Sequence, residues 1–187
     1  MANADAAFGL RPVMMLDGSP YNGHTLRCQF RAGDSTACYI GDLVKLDGTS
    51  GTEGVPTVTR GASTDTAFFG VVVAFEFDPS DLESKYRLAS TQRACHVVPA
   101  LDCIFEIQSD GTGELDDIGT TADILTAGGN TTTGLSTMEL ADATVGTGIN
   151  LHILGVVNRE DNDVSAANAN WLVRVNESNL RGTGTGA

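Results

Sequence analysis

Phe68-Phe69-Gly70-Val71-Val72-Val73-Ala74-Phe75-Glu76-Phe77 is the most apolar stretch of the chain. Its β-branched and aromatic residues suit a pleated sheet, and the run is far shorter than the ~20 residues a membrane-spanning helix needs. It reads as a central strand, with Gly70 marking a bulge or a close backbone approach. Asp78-Pro79-Ser80-Asp81 ends it. Outward from it the period stays at two. Leu26-Arg27-Cys28-Gln29-Phe30-Arg31 alternates apolar and polar, as a half-buried strand does. Gly41-Asp42-Leu43-Val44-Lys45-Leu46 is stopped by Asp47-Gly48, a tight-turn signal. His96 to Pro99 is short and extended, and Asp102 to Gln108 alternates again before Asp110-Gly111. Leu151 to Val157 and Trp171 to Asn176 complete the set. Roughly seven or eight strands at this spacing predict an all-β chain, a β-barrel or β-sandwich.

Helical signals are few. Leu115, Ile118, Ala122 and Leu125 share a face at helical spacing, but Gly119 and the threonines limit the stretch to one or two turns. A further turn is expected at 80–85, with Ser80 capping and Glu83 three residues on. Thr126 to Thr133 reads as a loop or a two-stranded ribbon. Phe69-Gly70-Val71-Val72 and Leu154-Gly155-Val156-Val157 look alike. They are either equivalent strands or a coincidence of a β-rich composition, and coincidence is the simpler reading.

The 187 residues carry 24 acidic against 11 basic side chains, a net charge of −13. That argues against nucleic acid and anionic membranes as partners, since both need a basic face. Hydrophobic content of 41% is that of a folded domain. Met1 to Ala7 has neither the basic nor the apolar region of a secretory signal, so a cytoplasm-like compartment is expected. Cys28, Cys38, Cys95 and Cys103 include no C-x-x-C pair, and zinc ligands come in such closely spaced pairs. They read as buried free thiols. Neither a G-x-S-x-G nucleophile turn nor a phosphate-binding loop occurs, and no catalytic residue, cofactor or metal site is expected. Glu160-Asp161-Asn162-Asp163 offers oxygen donors for calcium, but turns use the same residues for local hydrogen bonds.

Residues 1–20 form an apolar arm, Ala6-Ala7-Phe8-Gly9-Leu10-Arg11-Pro12-Val13-Met14-Met15-Leu16, without alternation and with a central proline. Such an arm adds as a strand or lies in a groove on a partner; the plainer alternative is a first strand of the chain's own sheet. Residues 21–180 read as a single β-rich domain that folds without the arm, and 181–187 as a flexible, glycine-rich tail.

The opening Met1 to Val13 resembles that of a family of tailed-phage virion proteins. Tyr21-Asn22-Gly23, Gly41 to Leu46, Ile153-Leu154-Gly155-Val156-Val157 and Asn170 to Asn176 extend the likeness over most of the chain. The resemblance implies a capsid cement or decoration protein, mostly β and commonly trimeric. Such a protein binds the outer surface of the shell and clamps neighbouring major capsid proteins. It also implies that the arm, through Phe8, Leu10, Arg11, Pro12 and Val13, meets the capsid. Two alternatives stand beside it: another virion part, a minor head or tail protein, or a carbohydrate- or metal-binding β-module for host attachment.

Overall fold

A computed structural model describes residues 3–49, 51, 53–79 and 81–181. In chain order the strands are β1 (Arg11–Met15), β2 (Leu26–Phe30), β3 (Leu43–Leu46), β4 (Val58–Arg60), β5 (Gly70–Phe75) and β6 (Arg93–Pro99). They continue with β7 (Cys103–Gln108), β8 (Thr121–Leu125), β9 (Glu139–Ala141), β10 (Leu151–Val156) and β11 (Asn170–Val175). The chain is all-β: a five-stranded sheet in the order β2-β6-β5-β3-β4 and a six-stranded sheet in the order β1-β7-β11-β10-β8-β9, with antiparallel neighbours throughout.

Each sheet curls until its ends meet. Gln29 in β2 bridges Thr57 in parallel, just before β4, and the Gln29 N–H donates to the Pro56 carbonyl at 3.0 Å. Ser109, just after β7, bridges Leu140 of β9, also in parallel. The first ring is therefore β2-β6-β5-β3-β4 and the second β7-β11-β10-β8-β9. The second repeats the first strand for strand in chain order, with β1 left outside.

The registers agree as well. In β5 and β6 the pairs Gly70–Pro99, Val71–Val98 and Val72–Val97 are followed by a bulge at Val73, then Ala74–His96 and Phe75–Cys95. In β10 and β11 the pairs Leu151–Val175, His152–Arg174 and Ile153–Val173 are followed by a bulge at Leu154, then Gly155–Leu172 and Val156–Trp171. Ahead of β3, the Gly41 N–H donates to Val72 O at 2.7 Å and Val72 N–H to Asp42 O at 3.0 Å. Ahead of β8, the Gly119 N–H donates to Ile153 O at 2.9 Å and Ile153 N–H to Thr120 O at 3.0 Å. Both glycines are left-handed, with φ of +95° and +93°. The chain is thus two copies of one barrel design. β5 and β10 are equivalent strands, yet the look-alike tetrapeptides are not the equivalence: register matches Gly70 with Leu151 and Gly155 with Ala74.

Strand period explains the packing. Cys28, Phe30, Val44, Val58, Val72, Cys95 and Val97 point into the first barrel, where they form one buried cluster. Ile107, Ala122, Leu140, Ile153, Trp171 and Val173, the counterparts of Cys28, Val44, Val58, Val72, Cys95 and Val97, fill the second together with Ile124. Leu43, Val71 and Val98, on the opposite face of the first barrel, join that second cluster, so β3, β5 and β6 are buried on both faces. That is why the 68–77 run lacks alternation. A Cβ at Gly70 would strike the Val98 carbonyl, so the glycine marks a close backbone approach. Arg87 is wholly buried beside the first barrel. It donates from Nε to Thr91 O at 2.8 Å and from Nη2 to Arg31 O and Asp34 O, both at 2.7 Å. Nη1 reaches Thr36 O at 2.5 Å, and the guanidinium lies 5.2 Å over the Phe30 ring.

Several expectations are corrected. The predicted helical stretch from Leu115 keeps only a 3₁₀ turn, Leu115–Asp117; left-handed Gly119 breaks it, and Ala122 and Ile124 alternate into the barrel as β8. Residues 82–83 make a turn and no helix, while Ser80 lies outside the described residues. The Asp47-Gly48 signal opens a long connection between β3 and β4, closed by Asp47 N–H donating to Thr57 O at 3.0 Å. Residues 126–133, by contrast, are the expected loop, with one bridge from Gly129 to Ser136. The short strands β4 and β9 carry too few residues to show a period. The arm is not separate from the body: β1 pairs with β7 and Leu10 is buried in the shared core. The expected tail lies outside the described residues beyond Arg181.

Candidate functional site

The arm residues converge with the first barrel at a groove. Leu10 N–H donates to Gly41 O at 2.9 Å, laying residues 8–10 across the turn that enters β3. Two glycines make this crossing possible. Gly9 has φ of +73°, and a Cβ on it would sit 2.5 Å from Gly41 O; a Cβ on Gly41 would sit 2.5 Å from Phe8 O. No other residue fits at either position.

Beyond the crossing an apolar groove of about 320 Å³ opens. Phe8, Leu10, Arg11 and Pro12 wall one side; Ile40, Val72, Val73 and Leu135 wall the other, with Tyr21 also in the lining. Arg11 stacks over Phe8 at 4.4 Å and stays half exposed, giving the apolar groove a cationic rim. Its Nη1 also lies 3.9 Å from Glu106, a nearly buried carboxylate that Arg159 reaches at 2.9 Å. Val13 does not line the groove: it is the bulge residue of β1, and its carbonyl accepts from Tyr21 N–H at 3.2 Å. The outer edge of β1 is already taken by its own turn, through Met15 N–H to Ser19 O at 2.8 Å and the Met14–Pro20 bridge.

Behind the groove a polar cluster holds the Gly41 turn. Asp42 is fully buried; it accepts from Tyr39 N–H at 2.8 Å and Ser136 Oγ at 2.6 Å, and pairs with Arg60 Nε at 2.9 Å. Burial pushes its carboxyl above the usual aspartate range, with Arg60 pulling the other way. Arg60 also donates to the carbonyls of Ala127 and Gly128, pinning the loop that carries Leu135. Ser136 is itself buried and faces a carboxylate already engaged by a guanidinium, so the trio serves as a brace. No sequence motif pointed to it; its members lie far apart in the chain and meet only through folding.

The acidic loop is held by its own side chains and by Asn3, which donates to Asp163 O and accepts from Asp163 N–H, both at 2.8 Å. Asn162 donates to Val157 O at 2.8 Å and Asn170 O at 2.9 Å and accepts from Asn170 N–H at 2.8 Å. Asp163 accepts from Ser165 N–H and Oγ, and Asp161 pairs with Arg159 at 3.3 Å. Among the described residues no three His, Cys, Asp or Glu side chains group as metal ligands. The cysteines are buried and free. Cys28 and Cys95 face each other across β2 and β6, and burial pushes the Cys28 and Cys103 thiols up to about 11, out of thiolate chemistry.

No family model, curated protein or solved structure matches this chain.

Proposed function

We propose that this chain is a structural protein of a tailed-phage virion, a cement protein on the outer surface of the head that holds neighbouring major capsid proteins together. One observation supports it most directly: Phe8, Leu10, Arg11 and Pro12, which the resemblance ties to capsid binding, line a single apolar groove with a cationic rim. A branched or aromatic side chain of a shell subunit seated there gains about 1.5–3 kcal/mol of burial, multiplied over the many copies on a shell. Arg11 offers that subunit a charge-assisted bond to a carboxylate or carbonyl. The arm acts as one wall of a preformed site, not as a free strand. A net charge of −13 suits the exterior, away from packaged DNA. A homotrimer accords with the family likeness, and its like-charged subunits associate more tightly as salt screens them.

The test is a density map of the virion with copy counting. Expected is protein on the outer shell at many equivalent seams with the groove facing a capsid subunit, and loss of capsid binding in Arg11→Glu and Val73→Asp. Density confined to one vertex or the tail makes this a minor head or tail protein. Binding to glycans in place of capsids supports the attachment module. Either result overturns the proposal.

A further inference from the structure

The internal repeat supplies a second surface. On the first barrel, the chain's own residues 8–10 are laid across Gly41, with Ile40 and the bulge residue Val73 beside the crossing. Register places Ile118, Gly119 and the bulge residue Leu154 at the same positions on the second barrel. There nothing lies within 4 Å of where a Cβ of Gly119 would stand. Ile118 is 42% exposed, Leu154 37%, and Leu115 in the adjoining turn 64%. Among the described residues, no N–H donates to the Gly119 carbonyl, the counterpart of the acceptor that Leu10 uses on Gly41. Exposed leucine and isoleucine grouped about a bare backbone acceptor form a binding surface by the same design that is filled on the first barrel.

We propose that this surface docks an extended segment of a partner protein, with an apolar pair flanked by a basic residue, laid across Gly119 as Phe8-Gly9-Leu10-Arg11 is laid across Gly41. The chemistry of the occupant follows from its template and from the rim. Glu114, Asp116 and Asp117 border Leu115 and Ile118, and that turn carries no basic residue. A cationic flank is therefore attracted, and this chain's own segment of that pattern, residues 8–11, is already laid across Gly41. The inference concerns a different face from the groove and holds whichever protein fills the groove.

The probe is the synthetic peptide Ala-Phe-Gly-Leu-Arg-Pro-Val, the sequence of residues 7–13, titrated into the isotope-labelled full chain. Expected are amide shifts centred on residues 115–119 and 154, and at least tenfold weaker binding in Leu154→Asp and Ile118→Asp. A peptide with Glu in place of Arg should bind several-fold more weakly. Both positions are exposed, so the variants should keep the parent melting temperature, and virion binding through the groove reports separately on the cement reading. Shifts elsewhere, no binding, or equal affinity of parent and both variants overturn the proposal. Concentration-dependent self-association abolished by Leu154→Asp makes the occupant a second copy and overturns it too.

Discussion

The two barrels share a strand ring, a bulge and a left-handed glycine, and they differ in what each leaves bare. The first has its Gly41 face covered by residues 8–10 and its interior edged by the buried Arg87. The second receives β1 along β7, packs its interior against the first barrel, and leaves its Gly119 face open. The interior residues have little in common: Cys95 stands where the second barrel has Trp171, and Val44 where it has Ala122. A backbone design can recur while side chains diverge because the ring is held by main-chain hydrogen bonds and by period-two burial, which tolerate many apolar residues of suitable total volume. Position φ is less forgiving, hence glycine at both turns.

The harshest way to break the comparison is to remove the segment that distinguishes the barrels. Deleting residues 1–13 strips part of β1, the cover of Gly41 and the buried Leu10; loss of a buried leucine alone costs about 2–5 kcal/mol. The shortened chain is expected to lose cooperative melting or to aggregate, checked by thermal denaturation. A fully folded product would show that the arm only decorates the first barrel.

Next in size is Arg87→Ala, confined to the first barrel. It leaves the carbonyls of Arg31, Asp34, Thr36 and Thr91 without their buried donor, and a loss of about 3–5 kcal/mol is expected by chemical denaturation. A change under about 1 kcal/mol would mean that water replaces the guanidinium.

The sharpest contrast is one substitution made twice. Gly119→Ala meets only the backbone penalty of a left-handed alanine, about 1–2 kcal/mol. Gly41→Ala adds a Cβ 2.5 Å from Phe8 O and should cost clearly more, displacing the arm as well. Equal losses would deny that the arm presses on Gly41.

The smallest effect is electrostatic. Burial raises the carboxyls of Asp42, Glu139 and Asp142, and Asp110 adds to it at the latter two. The folded chain then holds protons that the unfolded chain has released. Stability therefore falls as pH rises from the ordinary values of 3.8 for aspartate and 4.5 for glutamate up to the raised ones. Glu76, lowered by Arg27, acts oppositely, losing stability as pH falls through its folded value, but it is exposed and solvent screens it. Glu139→Gln with Asp142→Asn should flatten the pH dependence measured by urea unfolding, leaving the share of Asp42. An unchanged slope would exclude the second barrel as its source.

Most strands were legible because period-two hydropathy is a local pattern, carried by Leu26 to Phe30 within its own residues, although burial follows it only in part: Leu26 is exposed and Gln29 buried, and β7 is buried on both faces. The 115–125 stretch misled because Leu115, Ile118, Ala122 and Leu125 satisfy a helical period by number, while Gly119 at φ +93° divides them between a turn and β8. Phe8 to Pro12 could be singled out as an apolar segment without alternation, but not as a groove wall, since the opposite wall comes from Ile40, Val73 and Leu135.

By itself the sequence determined the all-β class, the acidic charge and the buried free thiols, because each depends on composition or on neighbours a few positions apart. Tertiary structure alone decided the doubling of the barrel, the burial of β3, β5 and β6 on both faces, the brace of Asp42, Arg60 and Ser136, and the two Gly-centred faces. These depend on strand register and on contacts between residues distant in the chain. Register follows from which face is apolar and from the turns, conditions that many different side chains satisfy, so two strands as unlike as Gly70 to Phe75 and Leu151 to Val156 occupy one place in one design.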